Sequence, residues 1–249
     1  MAQAGTMVPG RVGALVSVSL MGLGLCNPGA GEAYVLPVDA VGRLVLNGRY
    51  VCAAFPIRSE QLPTPPGSES ATYRNWLVTA GHCLEQIMFR GQPAFLVNTR
   101  GGDVAYPAAA YPTVPAGFSA GRPWGFDVAV LVFWTPRPLP VLEPAFNHQP
   151  ADGDWLVAAG YPRGVLSFIG GRYLGRSEDQ QLLVDAPMSR GSSGGPVLIP
   201  GTRKVVGVVV EATVSQSEEA PYACMFKVCA VDRPYKAASI DWVLPLVRW

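Results

Sequence analysis

The sequence predicts an all-β protein built as two units, and three observations carry that expectation. Short runs rich in Val, Leu and aromatic residues recur along the chain. Glycine and proline, 28 and 24 in number, punctuate them with turn chemistry. A Pro-rich stretch, Thr135–Pro144, then separates an earlier set of runs from a later one. Apolar residues make up 49% of the chain and charged residues 15%, a composition that packs a core and excludes a disordered chain. The formal net charge is +1 with no long run of either sign, so nothing marks a nucleic-acid or anionic-membrane surface.

Taken from the N-terminus, residues 1–33 read as an export signal. Arg11 is the only charge before Glu32; an apolar stretch, Val12–Leu25, follows it, and Gly29, Ala30, Gly31 and Ala33 supply the small residues of a cleavage site. That stretch is shorter than the roughly 20 residues a membrane-spanning helix needs, so no stable anchor is expected after cleavage. The expected location is secreted or periplasmic. Candidate strands of the first unit, 34–134, are Val41–Leu46, Tyr50–Ile57, Trp76–Thr79, Pro93–Asn98 and Val128–Trp134, with Gln61–Ser70 as an exposed loop. Residues 135–149 form the linker. The second unit, 150–249, offers Trp155–Tyr161, Leu166–Phe168, Gln181–Val184, Pro196–Ile199, Lys204–Glu211 and Cys224–Val231. Helical spacing emerges only in Lys236–Val247, a short C-terminal helix limited by Pro245.

Of the five cysteines, Cys26 leaves with the signal, and Cys52, Cys83, Cys224 and Cys229 remain. An even number in an exported chain favours disulfides, with three connectivities open. Metal binding is the alternative, but no Cys-x-x-Cys pair or histidine cluster supports it.

Three segments carry the chemistry: Thr79-Ala80-Gly81-His82-Cys83, Phe126-Asp127-Val128-Ala129-Val130-Leu131 and Gly191-Ser192-Ser193-Gly194-Gly195-Pro196. A serine hydroxyl is a weak nucleophile until an imidazole takes its proton, and the imidazole needs a carboxylate to hold its tautomer. In this order the segments resemble the signatures of trypsin-like serine peptidases. Ala159-Gly160-Tyr161-Pro162 and Asp185-Ala186-Pro187-Met188 look closer to the HtrA and glutamyl-endopeptidase branch. The resemblance implies two six-stranded β-barrels with a cleft between them. It implies His82 as general base, Asp127 as orienting carboxylate, Ser193 as nucleophile, and the backbone N–H groups of Gly191 and Ser193 as oxyanion hole. It also implies a Cys52–Cys83 disulfide, leaving Cys224 with Cys229. Substrates would be proteins or peptides, and no cofactor or metal is called for.

Rivals exist for each role. Asp103 is the other candidate acid, Ser192 the neighbouring hydroxyl, and His148 beside the linker reads as an exposed histidine. The Gly-x-Ser-x-Gly spacing also fits an α/β-hydrolase elbow, but that fold needs a histidine after the serine, and none follows Ser193. A subtilisin-like order would need alternating strands and helices, which are missing. A binding protein that has lost catalysis is the non-enzymatic alternative. For the specificity pocket the resemblance implies Pro187 at the base and Val210 and Ala212 on one wall, a site for small or medium uncharged side chains.

Overall fold

The computed structural model describes residues 36–46, 49–63, 71–83, 93–99, 102–107, 111–113, 127–186, 188, 191–211 and 234–247. The export signal, the tip of the Gln61–Ser70 loop, the candidate strand Cys224–Val231 and both Cys224 and Cys229 lie outside them. Among the described residues, no helix is long and apolar enough to cross a membrane.

The first unit contributes β1 (Gly42–Leu46), β2 (Arg49–Gln61), β3 (Tyr73–Thr79), β4 (Pro93–Thr99), β5 (Gly102–Pro107), β6 (Tyr111–Thr113) and β7 (Ala129–Thr135). They pair antiparallel in the order β5-β4-β1-β2-β3-β7-β6. In β7 the side chains of Val132 and Trp134 are half-buried, while Val130, Leu131 and Phe133 lie in the core. Thirteen residues of β2 would make a flat ribbon, but its register shifts between Pro56 and Arg58. A proline is tolerated at such a bulge, and the bulge bends the strand around the core.

The second unit contributes β8 (Glu143–Pro144), β9 (Trp155–Gly160), β10 (Ser167–Arg176), β11 (Leu182–Asp185), β12 (Pro196–Leu198), β13 (Lys204–Glu211) and β14 (Tyr235–Ser239). The order is β12-β9-β10-β11-β14-β13-β8, and β12 pairs again with β13, so six strands close on themselves. The architecture is therefore the expected double barrel. The C-terminal barrel closes, and the N-terminal one is a half-barrel among the described residues.

Several elements differ from the expectation in instructive ways. Strands β5 and β6 were not predicted: Gly-Asp-Val-Ala-Tyr-Pro and Tyr-Pro-Thr lack a β-branched run, and β5 is instead held by its hairpin partner from Ala94↔Pro107 to Thr99↔Gly102. The Pro-rich linker is packed rather than loose. Leu139 and Leu142 are buried, the Leu142 N–H donates to the Pro56 carbonyl at 2.8 Å, and Glu143–Pro144 pairs in parallel with Lys204–Val205. At the C-terminus the helix starts later than its spacing predicts. Lys236–Ser239 is claimed by β14, which fills the gap between β11 and β13, and a 3₁₀ helix, Ile240–Leu246, follows. The Ser239 hydroxyl caps it by accepting from the Asp241 N–H at 3.4 Å, and the buried Ile240 and Val243 recur at the three-residue period of that helix.

The main hydrophobic core joins the two units. It contains Leu44, Phe55, Leu77, Leu131 and Phe133 from the half-barrel together with Val205, Val208, Val210, Ala238, Ile240 and Val243 from the barrel. A second cluster, including Leu156, Val184, Met188, Val209 and Tyr235, fills the closed barrel.

Candidate active site

Strand register decides where the first two site residues meet. β3 and β7 pair without a break from Tyr73↔Thr135 to Thr79↔Ala129, so the end of β3 lies beside the start of β7. His82 comes three residues after β3 and Asp127 two residues before β7. Asp127 is 5% exposed. Its Oδ1 accepts from the His82 backbone N–H at 2.6 Å, and its Oδ2 lies 2.7 Å from Nδ1 of the His82 ring. One carboxylate thus holds both the backbone and the ring of one residue. With Nδ1–H donating to Asp127, the Nε2 of a neutral ring is left as the proton acceptor. Of the sequence rivals, Asp103 sits on β5, and His148 is exposed.

The disulfide between Cys52 and Cys83, with a Cα–Cα distance of 6.2 Å, pins the histidine turn to β2. Donor atoms of Cys52, His82 and Cys83 converge within 4.8 Å, the spacing of a metal site. Both sulfurs are bonded to each other, however, so neither is a thiolate ligand.

The serine segment lies between the two units. Ser193 offers its carbonyl to the Ala53 N–H at 2.8 Å, and Ala53 is the neighbour of Cys52. The Gly194 N–H donates to Val209 at 2.8 Å, and Val209 returns a bond to the Gly195 carbonyl. Gly191 and Gly194 have φ of 100° and 83°, conformations that L side chains rarely adopt. A Cβ on Gly194 would also overlap the Ala53 carbonyl and the Thr79 hydroxyl, so the residue after Ser193 rests directly on the strand that leads to His82. Thr79 completes the link by donating its hydroxyl to the Ala53 carbonyl at 2.8 Å. Ser192 is 1% exposed and packed on Gly160, whereas Ser193 is only half-buried. Burial therefore disfavours the neighbouring serine as nucleophile.

Val210 is buried on β13, next to Val209, the acceptor of Gly194. Pro187 and Ala212, the other two pocket residues, lie outside the described residues. Sequence reasoning gave no role to Ala53, Thr79 or Asn75. Asn75 bridges β3, β7 and the linker, donating to Thr135 Oγ1 at 2.8 Å and accepting from Leu139 N–H at 3.3 Å. A polar residue on the inward face of an apolar strand, as in Tyr-Arg-Asn-Trp-Leu-Val-Thr, is the signal that would have found it.

The family model for the trypsin-like peptidase domain matches residues 68–208, more than half of the chain. The chain belongs to the trypsin-like peptidase domain family. As a member of that family it is a serine endopeptidase. Solved structures reproduce the trypsin-like fold. The MamO protease domain from Magnetospirillum magneticum, in its apo form, is 16% identical with a TM-score of 0.59, over 85% of this chain and 97% of that one. Deg5 is 15% identical with a TM-score of 0.55, over 84% and 87%. Kallikrein-related peptidase 10 is 13% identical with a TM-score of 0.54, over 84% and 94%. At these identities the likeness is one of fold. No curated protein matches the chain in sequence.

Proposed function

We propose that this trypsin-like peptidase is exported and cleaves peptide bonds with His82, Asp127 and Ser193 as its catalytic triad. The observation that carries the reading is the paired grip of Asp127 on His82, at 2.6 and 2.7 Å. His82 takes the Ser193 proton as Oγ attacks the substrate carbonyl carbon. Asp127 stabilises the imidazolium that results, and the N–H groups of Gly191 and Ser193 hold the oxyanion. The imidazolium then protonates the leaving amine, and water, activated by the same ring, hydrolyses the acyl-enzyme.

Export is supported by the character of residues 1–33 and by the Cys52–Cys83 disulfide, a bond that persists in oxidising compartments. The family resemblance assigns Pro187, Val210 and Ala212 to the specificity pocket, and such residues suit small or medium uncharged side chains before the cut. A carboxylate at its base would be needed for Lys or Arg, and Pro187 supplies none.

A fluorophosphonate probe tests the reading. The folded wild-type protein should be labelled at Ser193 and should hydrolyse peptides with Ala, Val, Thr or Leu before the scissile bond. Ser193→Ala should do neither. A folded wild type that escapes the probe, or carries it elsewhere, overturns the assignment. A tenfold or greater preference for Arg or Glu overturns the pocket.

A further inference from the structure

Tyr161 stands where the two units and the serine segment meet. It follows β9 directly, and three different interactions leave from it. Its backbone N–H donates to the Gly191 carbonyl at 3.2 Å. Its hydroxyl donates to the Val41 carbonyl at 2.8 Å, across to the half-barrel just before β1. Its ring carries the guanidinium of Arg43, from β1, 5.4 Å from the centroid. The side chain is 2% exposed and packs with Val41, Ala53 and Ala159.

The residue before it is equally constrained. A Cβ on Gly160 would fall 2.7 Å from Ser192 Cα and 2.9 Å from Ser192 Cβ. The backbone of 160–161 is therefore the floor on which residues 191 and 192 rest. Ser193 is fixed from the other side, through its carbonyl to Ala53. The serine segment is thus clamped between Tyr161 and the half-barrel that bears His82, and the Tyr161 hydroxyl ties the two jaws together.

We infer that Tyr161 is a positioning residue: its hydroxyl bond to Val41 sets the height of Gly191–Ser193 relative to the histidine, and so the alignment of nucleophile and oxyanion donors. This rests on the peptidase reading above, because it assigns the function of the clamp to that site. A purely structural tyrosine would contribute stability and leave the folded enzyme's turnover alone. A positioning tyrosine acts on the transition state, whose donors must meet a developing charge within a few tenths of an ångström.

The test compares Tyr161→Phe with Tyr173→Phe, another buried tyrosine of the closed barrel, and with Arg43→Gln. In Tyr161→Phe, kcat should fall about tenfold with KM held within about twofold. Amide exchange at Gly194 and Gly195, whose N–H groups donate to the Val209 and Ser192 carbonyls, should quicken by about fivefold or more. Tyr173→Phe should change neither readout. Arg43→Gln should move both in the same direction by a smaller factor, and decides the matter if Tyr161→Phe does not fold. Wild-type turnover and wild-type exchange in a folded Tyr161→Phe, or in Arg43→Gln when it alone folds, overturn the inference. A folded wild type without peptidase activity refutes the proposed function instead, and the exchange rates then decide whether Tyr161 holds the segment.

Discussion

Asp127 spends both carboxylate oxygens on His82, and this makes the carboxylate hard to replace. In Asp127→Asn one of the two acceptors becomes an NH₂ group. The amide can satisfy the backbone N–H or Nδ1–H, not both, and the imidazole gains by switching tautomer, which blocks its Nε2 from taking a proton. The expected loss in kcat is roughly 10⁴-fold with the fold retained. Ser193→Ala and His82→Ala should each cost at least roughly 10⁴-fold, and the double variant little more, because the residues act as a unit. Multiplicative losses in the double variant would contradict the triad. The buried tyrosines give a separate check. Burial raises the Tyr161 phenol to about 12, the nearby Arg43 charge only partly opposing it, and burial pushes Tyr235 higher still. Both stay protonated in the folded chain where an unfolded tyrosine, near 10, has begun to ionise. The advantage that Tyr161 gives the folded state is therefore complete below about pH 10 and is lost as pH rises through about 12, and that of Tyr235 persists to higher pH. Absorbance titration at pH 11 should show these two phenols un-ionised in the native protein and ionised in urea. In Tyr161→Phe the alkaline loss of stability should be shallower.

At the scale of elements, the Cys52–Cys83 bridge joins β2 to the histidine turn across a sequence separation of 31. On the loop-entropy account it stabilises the fold by about 3.7 kcal/mol, an amount that disulfide removal should take away. A Cys52→Ala/Cys83→Ala variant should show that loss in urea unfolding, together with reduced turnover, since Cys83 adjoins His82. Unchanged stability would mean that the bridge does not form in the protein as made. The three candidate segments were legible in the sequence because short-range chemistry marks them: a histidine in a small-residue turn, an acid heading an apolar strand, glycines flanking a serine. The Cys52–Cys83 pairing was implied only by the family resemblance, since the cysteines themselves leave three connectivities open. Long-range pairing was less visible. Lys236–Ser239 has helical spacing, yet the barrel needs a strand between β11 and β13, and closure outweighs local preference. The linker reads as a Pro-rich extended connection, and nothing local in it records that Leu139 and Leu142 are drawn into the seam. Tyr161 was visible only as part of a motif. Its role depends on Val41 and Gly191, far from it in sequence, and no local pattern records that meeting.

For the whole molecule, the placement of the core makes a prediction about cooperativity. Two units on one chain can unfold separately when each owns its core, as independent domains do. Here the principal cluster runs through both, from Leu77 and Phe133 to Val208 and Val243. Hydrogen bonds cross the same seam at Leu142–Pro56, Ser193–Ala53 and Tyr161–Val41, and the Arg203–Asp39 ion pair at 3.0 Å joins it nearer the surface. The ion pair adds little, because both side chains remain about half exposed to solvent. The buried bonds and the shared core contribute far more, and neither unit retains its covering when the other opens. Urea unfolding should accordingly be a single transition. Tryptophan fluorescence, with Trp76 in the half-barrel and Trp155 in the closed barrel, should share its midpoint with far-ultraviolet circular dichroism and with the loss of probe labelling at Ser193. A labelling midpoint well below the spectroscopic one would show the seam opening first. Two resolved fluorescence transitions would show that the units fold independently, contrary to the shared core.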